Sequence, residues 1–501
     1  MGRRVGILVL ASALLASGGM VPSHAAAPEP FPCTPAGAVD RGFTVSSSAV
    51  PGHPRLTDLS IDAPSVDSYV KATTNPPRLA HAYVLLPAGY NPAATSTRYP
   101  VLYLLHGHGG SYTDWVAKGN VESIVGNRNL IVVMPDGGYD GFYSDWYGTD
   151  PDGHNGSVAP AWETFHIREL LPWIDAHYHT IPNRAGRAIA GLSMGGEGSM
   201  GYPARHPELF SIAGGFSGSV DPDLDWPAGS LAQEQVANLP DGRKADDCIW
   251  GDPLTQDVIW QGHDPTELAG NLADVELYLA SGTGAPDPSP GAPTYSPLAG
   301  LTEQGIFQGN VQFATSLVTH GHPAATMHTN FYPLGTHDWH YWQQDLTQFL
   351  PYLDAGLGAR SSAPASFSYE SAESSFGVWG WQFSASRAVA EFLYLDGVTT
   401  AAHGVNVAGF EVHGSGNLTV TTPPGALAPN HVYRVVVADH ATGAGTGPPT
   451  EVTSNGNGSL TFTVALGASH TTQQAVFGRA GEAVTFAGHD FDVEVQRLPH
   501  G

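Results

Sequence analysis

Apolar runs of about five residues recur along the first 355 residues and alternate with stretches of helical length. The clearest runs, at 82–86, 101–105, 130–134 and 275–279, are mostly apolar on both faces, as in strands of a covered parallel sheet. Residues 162–176 and 341–353 have the spacing of helices between or after such strands. The alternation predicts an α/β sandwich, a mostly parallel sheet flanked by helices.

The pattern changes after residue 366. Short strand-like runs at 378–383, 405–412, 418–422, 432–437 and 460–464 are separated by Gly, Pro and Asn turns, with no convincing helix between them. This predicts a smaller all-β domain over 367–501, most simply a sandwich. We therefore expect a loosely structured lead-in at 27–60, an α/β domain at 61–355, and a Gly/Ala/Ser/Pro linker at 356–366.

The first residues are typical of a secretion signal. Arg3 and Arg4 precede an apolar stretch that ends near residue 16, and small residues follow at 23–25. This predicts a signal peptide over 1–26 and a secreted, extracellular or cell-wall associated protein; a retained N-terminal anchor is the alternative. The stretch is short for a bilayer span, and no later run of twenty apolar residues predicts a transmembrane segment.

Charge and cysteine content refine this picture. The formal net charge is −26, which argues against nucleic acid or anionic membrane surfaces as partners. In an oxidising compartment, Cys33 and Cys248 are expected to form one long-range disulfide; two buried thiols are the alternative.

The segment Gly191-Leu192-Ser193-Met194-Gly195 is the main chemical signal. It follows the run at 187–190 and has the Gly-x-Ser-x-Gly pattern of the nucleophile elbow, a tight turn between a strand and a helix. Its glycines allow the serine side chain to stand clear of the sheet. A simple glycine-rich turn is the alternative in a chain with 61 glycines.

A nucleophilic serine needs a histidine base and an acid that orients it, here expected in the order Ser, acid, His. His337 follows the strand-like run 327–332 and precedes the final helix, which favours it over His340. Asp287 lies just after the run 275–279, whereas Glu303 lies further on, at the predicted start of a helix. From the residues alone, Asp287 is slightly preferred as the acid.

The loop 106–110 after the run 101–105 is expected to form an oxyanion hole from its backbone N–H groups, with the N–H of Met194 as the second donor. His106 and His108 alternate on an extended chain without a third ligand at metal-like spacing. We therefore expect no metal site and no cofactor. His320 and His322 are predicted to be loop residues.

Five motifs occur in the order found in one family: residues 142–147 (FYSDWY), 162–165 (WETF), 191–194 (GLSM), 246–251 (DDCIWG) and 335–342 (GTHDWHYW). Over roughly 60–355 the chain thus resembles the antigen 85 mycolyltransferases and the wider esterase D group of α/β-hydrolases. The resemblance implies a Ser193–Glu303–His337 triad, with Asp287 as the reserve acid. It also implies that His108 and Met194 are the oxyanion donors.

The chain departs from the family at two positions. The family has an aspartate where this chain has His106, and a trehalose-binding arginine where it has Gly109. These departures favour a broader carboxylesterase over a trehalose-specific transferase. His106, Trp146 and Trp339 are candidate substrate contacts, with core packing as the alternative for the tryptophans.

The sequence thus predicts a secreted serine esterase or acyltransferase acting on lipid or sugar esters through an acyl-enzyme. The alternative is a non-catalytic, adhesin-like protein that binds cell wall or matrix on the same fold. Trp379 and Trp381 suggest either a glycan-binding face or, more simply, the core of the second domain.

Overall fold

The computed structural model describes residues 34–35, 43–74, 76–149, 158–222, 224, 249–253, 255–359, 363–400, 405–473 and 489–498. In this part of the chain the first domain contains the following strands: β1 (Thr34–Pro35), β2 (Thr44–Ala49), β3 (Leu56–Asp62), β4 (Ala80–Leu85), β5 (Val101–Leu105), β6 (Ile131–Pro135), β7 (Gly148–Thr149), β8 (Arg187–Leu192), β9 (Ile212–Phe216), β10 (Glu276–Gly282) and β11 (Met327–Tyr332). Its α-helices in the same part are α1 (Asp67–Thr73), α2 (Asp114–Ala117), α3 (Val121–Val125), α4 (Leu171–His177), α5 (Met194–Arg205), α6 (Asp257–Gln261), α7 (Pro297–Thr319) and α8 (Trp339–Gly356).

Nine of these strands form one sheet in the order β11-β10-β9-β8-β5-β6-β4-β3-β2. The six strands from β11 to β6 are parallel, and β4, β3 and β2 continue the sheet antiparallel. Every residue of β5, β6, β8 and β9 is buried, because helices cover both faces. The predicted α/β-hydrolase fold is confirmed. The carboxyl ends of β5, β8, β9 and β10 meet at one edge, where the loops after them converge.

The predicted lead-in at 27–60 is wrong for its second half. Strands β2 and β3 extend the central sheet, and the buried Leu59 and Ile61 belong to its core. The sequence of β2 does not indicate a strand, because most of its residues are polar and exposed. As an edge strand, β2 is held by backbone pairing on one side. The predicted helix at 162–176 consists of a π-helical segment, Thr164–Leu170, followed by α4.

The second domain has two antiparallel sheets, which confirms the all-β prediction. In the described part of this domain the strands are β12 (Ser366–Ser371), β13 (Ser375–Val378), β14 (Trp381–Ser386), β15 (Leu393–Thr399), β16 (Asn406–Gly414), β17 (Asn417–Thr421), β18 (Val432–Asp439), β19 (Thr450–Thr453), β20 (Thr461–Ala465) and β21 (His489–Arg497). The sheet orders are β12-β15-β16-β21-β18-β19 and β13-β14-β17-β20. One apolar cluster joins residues of both sheets.

The run 378–383, predicted as one strand, is a hairpin. Trp379 and Gly380 both have positive φ, 50° and 84°, and form the two-residue turn between β13 and β14. Trp381 is buried in the core of this domain, whereas Trp379 lies under the guanidinium of Arg184, 5.2 Å from the ring centroid. These two rings therefore do not form an exposed pair for a glycan.

The two domains are joined by polar contacts. Arg205 donates to Glu163 in its own domain and to Glu373 in the second. Asn271 donates to the carbonyl of Glu370 and accepts from its N–H, both at 2.9 Å. Among the described helices, none has both the length and the apolar character required to cross a bilayer.

Candidate active site

Ser193 occupies a strained turn between β8 and α5. Its φ and ψ of 54° and −123° lie outside the regions that most residues adopt. A Cβ at Gly191 would collide with the carbonyl of Gly195, and one at Gly195 with the carbonyl of His106. The two glycines of the motif are therefore required for the turn, and the turn places the serine at the edge where β5, β8 and β9 end.

Ser193 and Glu303 lie on opposite sides of the His337 ring. The Nε2 of His337 is 2.9 Å from Ser193 Oγ, and its Nδ1 is 2.8 Å from Glu303 Oε2. Because a carboxylate accepts hydrogen bonds, the Nδ1–H donates to Glu303, which leaves Nε2 to accept the serine proton. Trp342 packs against the imidazole nearly at a right angle, with 4.8 Å between the two ring centroids.

Glu303 is fully buried, and its second oxygen has three donors. Oε1 accepts from Ser217 Oγ at 2.8 Å, from Ser281 Oγ at 2.9 Å and from the N–H of Gly282 at 2.8 Å. Three donors and the imidazole therefore satisfy both oxygens of this buried carboxyl group. Sequence reasoning missed both serines; their only signal is that each lies at the carboxyl end of a strand.

The loop after β5 passes beside the nucleophile. A Cβ at Gly107 would lie 3.1 Å from the Cβ of Ser193 and 2.5 Å from Cδ1 of Leu192, so the glycine allows the loop to approach the nucleophile closely. Met194 is the first residue of α5, and its N–H is one of the four N-terminal amides without an intrahelical acceptor. The loop and the helix N-terminus thus both border Ser193, as an oxyanion hole requires.

His106 is buried, and both of its ring nitrogens are engaged by the backbone. Nδ1 is 2.8 Å from the carbonyl of Gly107 and donates to it, while Nε2 accepts from the N–H of Gly137 at 2.8 Å. Burial lowers the pKa of His106, which keeps the ring neutral at pH 7. These contacts contradict the predicted substrate contact of His106 and place it in the scaffold of the loop.

The structure brings Glu303, and not the reserve acid Asp287, to His337. Asp287 accepts from the N–H of Ser289 at 2.8 Å and from Tyr341 Oη at 3.4 Å. Hydrogen bonds from Ser289 lower the pKa of Asp287. Asp287 lies five residues beyond the end of β10, and the hydrogen bonds of its carboxylate join it to Ser289 and Tyr341 rather than to His337.

The two tryptophans proposed as substrate contacts differ. Trp146 is 4% exposed and donates from its indole N–H to Gly141, which makes it a core residue and contradicts that proposal. Trp339 is half-buried between Trp115 and Trp342, with edge-to-face centroid distances of 5.2 and 5.3 Å. The role of Trp339 in binding substrate stays a prediction.

The histidines set aside as loop residues bind the backbone. His320 Nδ1 contacts the carbonyl of Ser316 at 2.9 Å, and His322 Nε2 that of Val275 at 2.9 Å. Cys33 and Cys248 lie outside the described residues. Among described residues, the group that gathers three potential metal-ligand atoms within 4.8 Å is on the second domain and comprises Glu411, His440 and Asp492. His440 donates there to Asp492 at 2.9 Å.

Comparisons with known proteins agree with this geometry. A family model named Esterase, described as "Putative esterase", matches residues 73–353, more than half of the chain. Esterase Rv1288 of Mycobacterium tuberculosis is 35% identical over 214 residues, 41% of this chain and 43% of that protein, so the chain spans less than half of its length. The diacylglycerol acyltransferase/mycolyltransferase Ag85B of Mycolicibacterium smegmatis is 32% identical over 262 residues, 51% of this chain and 77% of that protein.

Solved structures are similar over the first domain. MPT51 (FbpC1) of Mycobacterium tuberculosis is 22% identical with a TM-score of 0.46, and the match covers 60% of this chain and 97% of that one. An S-formylglutathione hydrolase from Agrobacterium tumefaciens is 18% identical with a TM-score of 0.42, covering 63% and 99%. The family model and the acyltransferase relatives decide the assignment: the chain belongs to the esterase family, with antigen 85 acyltransferases among its relatives.

Proposed function

We propose that the protein is a secreted esterase or acyltransferase that acts on lipid or sugar esters through Ser193, His337 and Glu303. One observation carries the proposal: hydrogen bonds of 2.9 and 2.8 Å join the serine, the imidazole and the buried carboxylate in the order that acyl transfer needs. A non-catalytic, adhesin-like protein would have no need for a buried carboxylate with four donors behind a strained serine.

The reaction follows from the tautomer of His337. Its Nε2 takes the proton of Ser193 as Oγ attacks the ester carbonyl, and the carbonyl oxygen becomes an oxyanion. The backbone N–H groups of His108 and Met194 stabilise that charge, with about 3–4 kcal/mol expected per donor. The C–O bond then breaks, His337 returns its proton to the departing alcohol, and Ser193 carries the acyl group. Water or a second alcohol attacks this ester in the reverse sequence and frees the serine.

The surroundings of His337 support an ester with an apolar part. The N–H of His337 donates to the carbonyl of Ala299 in the first turn of α7. The neighbouring Leu298 is 75% exposed, and Tyr295 and Leu334 are 44% and 37% exposed close by in sequence. Large apolar side chains exposed beside a catalytic group are suited to contact an acyl chain.

A fluorophosphonate probe tests the nucleophile. It should label the mature protein, and peptide mass spectrometry should place the adduct on Ser193; Ser193→Ala should remain unlabelled. An unlabelled native protein, or labelling that persists in the variant, would disprove the serine mechanism and favour the adhesin-like alternative.

The acyl specificity needs a separate experiment. We expect hydrolysis of a graded series of acyl esters to favour chains long enough to cover Leu298, and Leu298→Gln to weaken that preference without changing the rate for acetate. Product analysis with water, trehalose and diacylglycerol as competing acceptors distinguishes hydrolysis from transfer.

Export and a Cys33–Cys248 disulfide belong to the same proposal. Thr34 pairs with Thr149, and the N–H of Tyr147 donates to the carbonyl of Ile249 at 2.8 Å. The neighbours of both cysteines therefore bind one short segment, residues 147–149. Non-reducing peptide mapping of the exported protein should recover the linked cysteine peptides, and free thiols at both positions would contradict the disulfide.

A further inference from the structure

A second carboxyl group lies behind the triad. Asp345, in the second turn of α8, is 1% exposed. The hydroxyl of Tyr332 lies 3.2 Å from its Oδ2, within hydrogen-bond distance, while Oδ1 has no hydrogen-bond partner. Among the described residues Asp345 forms no ion pair. A buried carboxylate with a single neutral donor is unfavourable, so this side chain calls for an explanation.

Tyr332 connects this carboxyl group to the triad. It is the last residue of β11 and pairs with Gly282 of β10, whose N–H donates to Glu303; its hydroxyl contacts Asp345 and faces the side chain of Ser217. Ser217 has a φ of 47° and donates to Glu303 Oε1 at 2.8 Å. Tyr332 therefore lies between Asp345 and two groups, Ser217 and Gly282, that donate to Glu303.

Glu303 and Asp345 differ in the number of hydrogen bonds that their carboxyl groups make. Glu303 accepts from three donors and the imidazole, whereas Asp345 has one hydrogen-bond partner. The titratable groups that face Asp345 are Glu303 from α7, Tyr332 from β11 and Tyr278 from β10, and none of them is cationic. Burial and the charge of Glu303 raise the pKa of Asp345 well above its ordinary value. Asp345 is therefore uncharged, with its proton on Oδ2 and donated to the hydroxyl of Tyr332.

We propose that Asp345 is a positioning residue of the triad, an uncharged carboxyl group that holds Tyr332, and through it Ser217, against Glu303. The inference rests on the proposed triad. It explains why a polar side chain is retained at a fully buried position of α8. It also predicts that the hydrogen-bonding capacity of residue 345 matters, whereas a negative charge at that position does not.

Two substitutions at this position separate shape, hydrogen bonding and charge. Asp345→Asn keeps the shape and polarity of a neutral carboxyl group, whereas Asp345→Leu removes the partner of Tyr332. Asp354→Asn is the matched control, because Asp354 lies on the same helix with its side chain half exposed and paired with Arg128. In the full chain, kcat, KM and the pH dependence of kcat/KM are measured on a soluble ester, with active enzyme counted by fluorophosphonate titration.

We expect Asp345→Leu to lower kcat about 10- to 100-fold at nearly constant KM, since a small displacement of a catalytic group has effects of this size. Asp345→Asn should restore kcat to within about threefold of the native rate and leave the acidic limb of the pH profile in place. If residue 345 were ionised in the native enzyme, Asp345→Asn would shift that limb to lower pH, because His337 would lose a nearby negative charge. Such a shift, or full kcat in Asp345→Leu, overturns the proposal.

Tyr332→Phe keeps the test decisive if Asp345→Leu does not fold. It removes the bridging hydroxyl and should lower kcat about tenfold. Adding Asp345→Asn to this variant should then have no further effect, since the connection is already broken. Additive losses would instead mean that Asp345 acts independently of Tyr332. Failure of the triad itself would be seen separately, as persistent probe labelling of Ser193→Ala.

Discussion

Among the described residues of the first domain, two buried glutamates each bind a histidine, and one of the two lies at the candidate active site. Glu303 Oε2 lies 2.8 Å from His337 Nδ1, and Glu163 Oε1 lies 2.7 Å from His206 Nε2. Both carboxyl groups are nearly or fully inaccessible to solvent. The pairs differ in what surrounds them.

Glu163 is paired with Arg205, which also binds Glu373 of the second domain. Burial by itself would raise the pKa of Glu163, but the Arg205 charge and the His206 hydrogen bond lower it far below its ordinary value. The second nitrogen of His206 faces another carboxylate, Glu208, at 3.9 Å. Glu303 has hydroxyl and amide donors instead, and its histidine faces a serine. The two Glu–His pairs thus differ in the group that the distal histidine nitrogen faces, a serine at His337 and a carboxylate at His206.

The largest expected effect comes from removing that nucleophile. Ser193→Ala should lower kcat/KM by about 10⁶-fold, leaving only the contribution of binding and the oxyanion donors. Steady-state kinetics on a soluble ester measures this loss, and circular dichroism checks the fold. Residual activity above about 1% of the native rate would place the nucleophile elsewhere.

The acid of the triad comes next. Glu303→Gln should lower kcat about 10⁴-fold, because an amide can donate to Nδ1 and so favours the wrong tautomer of His337. The matched variant Glu163→Gln should leave kcat per folded molecule within about twofold, although it alters the same kind of pair. Equal losses of kcat in Glu303→Gln and Glu163→Gln would show that the two Glu–His pairs do not differ in their effect on the reaction.

For Glu163 the effect should be on stability. Glu163→Gln leaves Arg205 with Glu373 as its remaining carboxylate, and we expect a loss of about 3 kcal/mol in the free energy of unfolding. The shift of the denaturant midpoint of the full chain measures it. An unchanged midpoint would show that the ion pair does not contribute to the stability of the domain contact.

The same pair predicts a pH dependence. The folded-state pKa of Glu163 lies below its unfolded value of about 4.3, so its stabilisation is present above that pH and is lost as the pH falls. Between pH 5 and pH 3, the native midpoint should fall by more than the midpoint of Glu163→Gln. If the midpoints of the native protein and of Glu163→Gln fall by the same amount, other carboxyl groups cause the loss of stability in acid.

The smallest effect is expected at Asp287. Because its carboxylate binds Ser289 and Tyr341 at the surface and Glu303 occupies the position beside His337, Asp287→Asn should change kcat/KM by less than about twofold. A loss of several hundredfold would return the role of the acid to Asp287 and contradict the geometry at Glu303.

Local sequence patterns determined much of this protein. Buried parallel strands appear as continuous apolar runs, and the elbow needs glycines at fixed offsets from Ser193. Both features can therefore be identified from a few consecutive residues. The strand runs at 101–105 and 130–134 agree with the structure to within one residue. His337 was favoured for the same reason, because it follows a strand-like run and precedes a helix.

Only the tertiary structure decided which groups surround each carboxyl group. By its position along the chain, Asp287 is the better candidate for the acid. However, α7 places Glu303 over the ends of β9 and β10, where two serine hydroxyls and one backbone amide donate hydrogen bonds to it. The burial of His106 and Trp146, the pairing of the polar strand β2 and the approach of Asp345 to Tyr332 likewise depend on contacts between segments distant in sequence. These contacts determine which side chains are buried and which groups they bind, and the pattern of apolar and polar residues along the chain does not predict such contacts.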